Sequence, residues 1–287
     1  MKTRIPASIE VTPKQAIESA DLPGLFPKGV RVYITDIGNE RDVLIKAARR
    51  VRDLNYIPVP HFAARRLTDS AALEDRVKAM AEHAGVTDVL VIGGGLEKPL
   101  GGFSSSMQVL ETGLFDKYGI KEIAIAGHPE GSPDFSDAAA LEALKLKAAF
   151  AERSDAQLRI VTQFGFDAEK FISWANGLRD SGVDLPVHLG VAGPAKVTTL
   201  LKYAAMCGVG NSLGILKKRA GSFATLLTGF SPEAVVEPIE RHVTLTSDSA
   251  ISQIHVFPFG GIGAAAEWLK ERGTWGYGYK IRVAADG

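Results

Sequence analysis

Short runs of apolar, mostly β-branched residues recur along the chain and alternate with longer amphipathic stretches. The runs predict eight strands, at residues 5–11, 31–35, 57–61, 88–92, 122–126, 159–163, 186–189 and 253–257. The stretches between them predict helices, among them residues 40–54, 69–84, 136–150, 168–180 and 195–206, several of which open with Ser, Asp or Pro at cap positions. Regular alternation of strand and helix is typical of a parallel sheet.

The number of strand–helix units indicates the fold class. Strands that are apolar throughout suit a sheet covered on both faces, and eight such units close into a (β/α)8 TIM barrel of the α/β class. An open doubly wound sheet is the main alternative. About 60 residues separate the last two strands, against roughly 30 in a plain unit. We therefore expect extra helices between strands 7 and 8, within residues 193–246, and one barrel domain over residues 1–287.

Composition and charge exclude several classes of protein. Hydrophobic residues make up 46% of the chain and charged residues 23%, which excludes a disordered protein. The 33 basic residues equal the 33 acidic residues in number, so we expect no nucleic-acid partner. Cys207 is the only cysteine, which excludes an internal disulfide and indicates a reducing, cytoplasmic location. We find no secretory signal and no apolar run of about 18 residues, so we expect no membrane association.

The candidate functional residues are those at the predicted strand ends, because barrels of this type carry their active sites at the carboxyl ends of the strands. Those ends carry Glu10, Asp36, His61, Gly93–Gly95, His128, Gln163, His188 and the run Phe257–Gly261. Glu10 is the only charged residue in an otherwise apolar first strand. A carboxyl group partly removed from water is suited to donate a proton near neutral pH, so Glu10 is the leading candidate for a general acid.

Other strand-end features leave alternatives open. The histidines lack H-x-H or H-E-x-x-H spacing and no cluster of carboxylates completes a shell, so we expect no metal site. The glycine run Gly93–Gly95 allows a ligand to approach the backbone closely, and a tight turn explains it nearly as well. The segment FPFGGIG before a predicted helix would suit a bound phosphate, which keeps aldolase or isomerase chemistry open. A Schiff-base aldolase is disfavoured, because no predicted strand end supplies a lysine.

One basic run and the last residues of the sequence are interpreted as surface. We interpret Lys217-Lys218-Arg219 as solvated surface, since a run this short is usually only that. We interpret residues 274–287 as a surface extension.

Several short motifs, in order and without large gaps over roughly residues 5–272, resemble the methylenetetrahydrofolate reductases. These are flavoprotein barrels that convert 5,10-methylenetetrahydrofolate to 5-methyltetrahydrofolate. The motifs are SIEVTP at residues 8–13, VPH at 59–61, the glycine loop at 93–95, HPE at 128–130 with Pro133, LKLK at 144–147, TQF at 162–164 with FD at 166–167, and IHVF at 254–257.

The resemblance implies a role for most of the strand-end residues. Glu10 matches the general acid that protonates N10 as the imidazolidine ring of the substrate opens, so that hydride can reduce the resulting iminium. It implies a small-molecule folate as the partner, contacted by Gln163 and Phe257, with NAD(P)H as the hydride donor and FAD as the usual cofactor. The remaining candidates for cofactor contacts are His61, Gly93, Gly94, Gly95, His128 and Lys147, of which Lys147 and His61 retain contacts of the family.

Some flavin contacts of the family are altered at matching positions. An aspartate of the family falls on Gly95, a histidine on Ser132, and an asparagine and an arginine on Ala143 and Leu146. The loss of several polar contacts at about 1–3 kcal/mol each predicts much weaker flavin binding. Two versions of the reaction follow: FAD relays hydride from NAD(P)H, or the nicotinamide transfers hydride directly to the iminium, as in flavin-free members of the family.

We therefore predict a methylenetetrahydrofolate reductase. The alternatives are folate-dependent methyl transfer or a phosphosugar lyase on the same barrel, and a non-catalytic folate-binding protein. The sequence does not distinguish NADH from NADPH, or a monomer from a homo-oligomer.

Overall fold

Eight parallel strands close into a barrel in the computed structural model, which describes residues 4–209, 214 and 229–275. The strands follow chain order, and β8 pairs with β1 to complete the ring. This confirms the predicted (β/α)8 fold and excludes the open sheet. The strands are β1 (Ala7–Val11), β2 (Arg31–Ile34), β3 (Ile57–Ala63), β4 (Asp88–Ile92), β5 (Glu122–Gly127), β6 (Gln157–Gly165), β7 (Val187–Ala192) and β8 (Ile251–Phe257).

Helices connect successive strands. They are α1 (Pro13–Glu18), α2 (Arg41–Asp53), α3 (Ser70–Ala84), α4 (Ser106–Leu110), α5 (Leu114–Lys117), α6 (Asp137–Glu152), α7 (Ala168–Asp180), α8 (Val197–Met206), α9 (Glu233–Leu245) and α10 (Ile262–Glu271). Two of them, α8 and α9, lie between β7 and β8, as expected for the long connection. The basic run at residues 217–219, and the chain after residue 275, lie outside the described residues. None of the helices described is long and apolar enough to cross a membrane.

The residues of β1 alternate between two environments. Ala7, Ile9 and Val11 belong to the large apolar core that the strands share with the surrounding helices. Ser8 and Glu10 therefore point to the other face of the sheet, the barrel interior. A second apolar cluster fills part of that interior, and its buried members come from five consecutive strands, namely Tyr33, Val59, Leu90, Ala124 and Val161.

The amino ends of the strands enclose a set of polar side chains, which we call the closed-end cluster: the buried Tyr33, Asp88 and Arg159 and the partly buried Arg31. An Nη2 of Arg159 on β6 lies 2.6 Å from Oδ1 of Asp88 on β4, and Nε of Arg31 on β2 lies 2.8 Å from Oδ2 of the same carboxylate. These strands are not neighbours, so the contacts cross the barrel axis. The cluster fills this end of the interior, which leaves the carboxyl ends of the strands as the open end.

Candidate active site at the open end of the barrel

Glu10 lies at the open end of the barrel, between two histidines. Its Oε2 is 3.6 Å from Nε2 of His61 on β3 and 3.6 Å from Nε2 of His255 on β8. The Glu10 side chain is 18% exposed, against 9% for His61 and 1% for His255. The carboxylate is thus the most accessible of the three groups. Neither Nε2 has a hydrogen-bond partner among the described residues. Both nitrogen atoms are therefore available for a hydrogen bond beside Glu10.

Local sequence explains why Glu10 is placed so exactly at the strand end. Thr12 follows β1 directly and caps α1, accepting a hydrogen bond from the backbone N–H of Gln15, while the Gln15 side chain accepts one from the Thr12 N–H. Pro13 occupies the first turn of α1, where a proline is well tolerated. The Thr-Pro pair of the first motif thus ends the strand at Val11, one residue after Glu10.

Separate contacts hold the two histidines. Nδ1 of His255 lies 3.0 Å from Oγ of Ser8, also on the interior face of β1. The carbonyl oxygen of His61 accepts a hydrogen bond from Arg76, which also pairs with Asp36 at 2.8 Å. Burial lowers the pKa of His61, and the Glu10 carboxylate opposes this effect. A neutral His61 is therefore favoured near neutral pH.

Two residues matched to substrate contacts lie on strands at the same end. Gln163 on β6 is half-buried, and its Oε1 accepts a hydrogen bond from the N–H of Phe164 at 3.1 Å. Phe257 ends β8, and its ring packs edge-on against His255 with centroids 4.9 Å apart. Phe257 therefore lies next to the Glu10 site through His255.

The glycine loop after β4 combines one constrained position with two open ones. Gly94 has a φ of +87°, and a methyl group there would lie 3.2 Å from Cβ of Ala63, so a turn and close packing require this glycine. At Gly93 and Gly95 a methyl group would meet no atom within 4 Å. The tight-turn interpretation therefore accounts for Gly94, whereas Gly93 and Gly95 border free space.

His128 and Lys147 form a second group, on the β5–α6 side. His128 directly follows β5 and packs edge-on against Phe135, with centroids 5.0 Å apart. Lys147 on α6 is 7% exposed, and burial lowers its pKa to about 8. Burial also lowers the pKa of His128, and the nearby Lys147 cation adds to this effect. The Lys147 ammonium favours an anionic ligand, which would offset the cost of burying this charge.

The extra connection after β7 reaches the open end of the barrel. At the end of α8, a methyl group on Gly208 would lie 2.7 Å from Pro133, so this turn packs closely on the β5–α6 loop. Cys207 is exposed, and its pKa is raised by partial burial and by the Glu10 carboxylate. The end of α8 therefore lies within electrostatic range of Glu10.

A cavity of about 900 Å3 lies outside this site, between α8 and α10, and its lining includes Lys196, Phe259, Gly260 and Trp268. Phe259 and Gly260 belong to the FPFGGIG segment that we considered for phosphate. Neither Glu10 nor the two histidines beside it line the cavity. None of the eight strands contains a lysine, in agreement with the argument against a Schiff-base aldolase.

The prediction that His188 lies at a carboxyl strand end is wrong. β7 continues to Ala192, so His188 is its second residue and lies near the closed-end cluster, where burial and then Arg159 and Arg31 lower its pKa. The strand continues because Gly190 allows β6 to approach closely: a methyl group there would lie 2.4 Å from the Thr162 carbonyl oxygen. In the same way β3 and β6 run two residues beyond His61 and Gln163.

Sequence reasoning assigned no role to Ser8, Tyr33 or His255, although the structure places all three around Glu10. Ser8 and His255 were noted only as parts of motifs. The available signal was the alternation of side chains along a strand, since Ser8 lies two residues before Glu10 and His255 two residues before Phe257. That spacing puts each pair on one face of its strand.

Comparison with known proteins gives a consistent set of relatives. The family model for methylenetetrahydrofolate reductase matches residues 18–213, more than half of the chain. The 5,10-methylenetetrahydrofolate reductases of Pectobacterium carotovorum subsp. carotovorum and Salmonella typhimurium are 25% and 26% identical over 193 residues, which cover 66% of this chain and 61% and 62% of theirs. Methylenetetrahydrofolate reductase 1 of Schizosaccharomyces pombe is 34% identical over 88 residues, 30% of this chain and 14% of its own.

These matches cover only part of each chain and leave out part of the candidate site. The matched segment spans less than two thirds of each of these relatives. The family match begins after β1 and ends before β8, so Glu10 and His255 lie outside it. Among solved structures, an uncharacterized protein from Clostridium thermocellum that binds two copies of 5-methyl-5,6,7,8-tetrahydrofolic acid has the same fold. Its TM-score is 0.51 at 11% identity, covering 94% of this chain and 96% of that one.

Proposed function

Because this chain belongs to the methylenetetrahydrofolate reductase family, we propose that it reduces 5,10-methylenetetrahydrofolate to 5-methyltetrahydrofolate with hydride from NAD(P)H. The observation that carries the proposal is the placement of Glu10. Its carboxyl group lies at the open end of the barrel, partly exposed and flanked by His61 and His255 at 3.6 Å each. A partly exposed acid at this end of a barrel is the group that the first step of the reduction requires.

The proton transfer starts the reaction. The methylene carbon bridges N5 and N10 of the folate, and cleavage of its bond to N10 needs a proton on N10 for the amine to leave uncharged. In this proposal Glu10 donates that proton, and the methylene group remains on N5 as an iminium. Hydride addition to the iminium carbon then gives the methyl group, and solvent returns a proton to Glu10.

Neighbouring side chains have supporting roles in this proposal. The side-chain carbonyl of Gln163 is engaged by the Phe164 N–H, which leaves its amide N–H groups to donate to the pterin. The ring of Phe257 packs on His255 and offers an apolar surface beside the site. A pterin held by these residues would lie next to Glu10. The Clostridium thermocellum protein, which has the same fold, binds a methyltetrahydrofolate.

FAD, the usual cofactor of this family, does not fit the residues present. On the side of Lys147, the positions matched to polar flavin contacts carry Ala143 and Leu146, and Leu146 is a 52% exposed apolar side chain. The Ser132 hydroxyl accepts a hydrogen bond within its own loop, from the Asp134 N–H at 3.2 Å. Lys147 is thus left as a single buried cation whose pKa is already lowered to about 8. We therefore propose direct hydride transfer from the nicotinamide to the iminium.

Two measurements on the purified wild-type protein test this function. An absorption spectrum recorded without added cofactor is expected to lack the flavin bands. NAD(P)H oxidation with methylenetetrahydrofolate is expected at equal rates with and without added FAD. Strict dependence on FAD would overturn the direct transfer while leaving the reductase assignment in place. No oxidation of either nicotinamide under both conditions would overturn the reductase assignment.

Calorimetric titration with tetrahydrofolate then identifies which alternative applies. Binding without nicotinamide oxidation would indicate a folate-binding protein or a methyltransferase. Absence of binding would indicate a non-folate reaction such as a phosphosugar lyase.

A further inference from the structure

We propose that Tyr33 is a positioning residue for the Glu10 site, which it serves by fixing the two imidazoles beside the carboxylate. This inference rests on the proposed function for its catalytic consequence, whereas its structural part can be tested without turnover. Tyr33 is on the interior face of β2, where it is paired in register with Glu10 on β1. It was not among the residues that sequence reasoning selected.

The hydroxyl end of Tyr33 is anchored in the closed-end cluster. Arg159 donates to the Tyr33 oxygen from Nε at 3.1 Å and from Nη2 at 2.9 Å. The guanidinium is itself held by Asp88, which Arg31 also binds. Tyr33 has no exposed surface. Two charge-assisted bonds and complete burial leave this side chain little freedom.

The ring end of Tyr33 contacts the histidines. Its centroid lies 4.4 Å from that of His255 and 6.2 Å from that of His61. These histidines are on β8 and β3, which are not neighbouring strands, and Tyr33 is the aromatic ring that contacts both. Ser8 contacts Nδ1 of His255, whereas Nε2 of each histidine makes no hydrogen bond among the described residues. Packing against the Tyr33 ring therefore adds to the contacts that keep each Nε2 at 3.6 Å from Glu10. Tyr33 therefore helps to fix the positions of both imidazole rings beside the proposed proton donor, from the side of the closed-end cluster.

The kinetic test compares Tyr33→Leu with a matched control. Tyr33→Leu removes the ring, and we expect kcat to fall by about 10- to 100-fold while KM for the folate changes by less than about threefold, because misplacement of reacting groups affects the chemical step. Phe115→Leu makes a similar truncation at a buried ring outside the barrel interior, against Phe62, and is expected to leave kcat unchanged. Tyr33→Phe keeps the ring but loses the Arg159 bonds, so we expect a smaller decrease of about threefold. If Tyr33→Leu does not fold, Tyr33→Met takes its place.

The second measurement is independent of the reaction. Nitrogen-15 NMR of the imidazole rings reports the tautomer of each histidine, with His61 and His255 assigned by single substitutions. We expect one fixed tautomer for His255 in the wild type, where the Tyr33 ring holds the imidazole against Ser8, and averaged signals in Tyr33→Leu, where that ring contact is lost. Unchanged ring signals and unchanged kcat in Tyr33→Leu would overturn the positioning role. A wild type without reductase activity would overturn the proposed function, and the ring signals alone would then decide the role of Tyr33.

Discussion

At the scale of single residues, the carboxyl group of Glu10 is the feature on which the proposed chemistry depends. Glu10→Gln keeps the shape of the side chain but removes its acidic proton. We therefore expect kcat to fall by about 10²- to 10⁴-fold, while the Kd for tetrahydrofolate changes by less than about threefold. Steady-state kinetics and calorimetric titration of the same preparation measure the two quantities.

A matched control separates this effect from a general loss of charge. Glu18 is an exposed carboxylate at the end of α1, 3.9 Å from the Lys14 ammonium. Glu18→Gln should leave kcat unchanged, because exposed pairs of this kind contribute little. Near-normal turnover in Glu10→Gln would reject Glu10 as the proton donor.

Burial of the Lys147 ammonium is expected to lower the stability of the folded protein. Its pKa in the folded protein is about 8, below the usual 10.5, so the unfolded chain binds this proton more strongly between those pH values. Wild-type stability contributed by this group therefore rises with pH across that window. Lys147→Met removes the buried ammonium, and we expect it to raise the free energy of unfolding by up to about 3 kcal/mol at pH 7.

Denaturant unfolding at pH 7 and at pH 10.5 measures this effect. The gain from Lys147→Met should be largest below pH 8 and should shrink toward pH 10.5, because the wild-type amine is then neutral in the folded protein. Lys145→Met, an exposed position on the same helix, provides the control and should show no such pH dependence. An equal gain for Lys147→Met at both pH values would contradict the assigned cause.

At the scale of elements, the glycine loop after β4 contains one glycine that the fold requires, Gly94, and one that borders free space, Gly95. Gly94→Ala places a methyl group at a positive φ and 3.2 Å from Ala63, and we expect it to lower the free energy of unfolding by about 1–2 kcal/mol. Gly95→Ala adds the same atom in open space and should leave stability nearly unchanged. Thermal unfolding of the two variants makes the comparison. Equal Tm values would show that the turn tolerates a side chain at residue 94.

The elements themselves could be predicted well from the sequence. All eight strands and the five named helices lie where apolar periodicity placed them, with no end shifted by more than three residues. The shifts at β6 and β7 were not predictable, because they depend on a contact between strands. Gly190 looks like a breaker in the sequence, but in the sheet it permits the close approach of Thr162, so β7 continues and His188 moves away from the open end.

At the scale of the whole molecule, the closed-end cluster joins charged side chains from three different strands inside the barrel. Asp88 is the common partner of Arg31 and Arg159, and its side chain is 1% exposed. Asp88→Ala leaves the buried Arg159 guanidinium and the 23% exposed Arg31 side chain without this acceptor. We expect a loss of about 3–5 kcal/mol in the free energy of unfolding. Chemical denaturation measures it.

The exposed pair of Lys121 and Asp155, 3.3 Å apart, is the matched control. Asp155→Ala should produce no measurable change, since solvent screens such pairs. A loss in Asp88→Ala no larger than that in Asp155→Ala would show that the closed-end cluster contributes little to stability.

The candidate site could be predicted only in part, for a reason that concerns the whole barrel. Glu10 and His61 were selected from strand ends, and the structure brings them together. Tyr33 and His255 were assigned no role, because contact across a barrel depends on the register of eight strands rather than on any local spacing. Tyr33 in particular lies in mid-strand, where an aromatic residue normally indicates only core.

Arg31, Tyr33, Asp88 and Arg159 fill one end of the barrel, and this has a consequence for ligand traffic. Among the described residues, the barrel interior around Glu10 opens at the carboxyl ends of the strands. In the proposed reaction, donor and acceptor would therefore pass through the same opening. Whichever molecule lies deeper, against Glu10, has to arrive first and depart last. We therefore expect a compulsory binding order, visible as competitive product inhibition against only one of the two substrates.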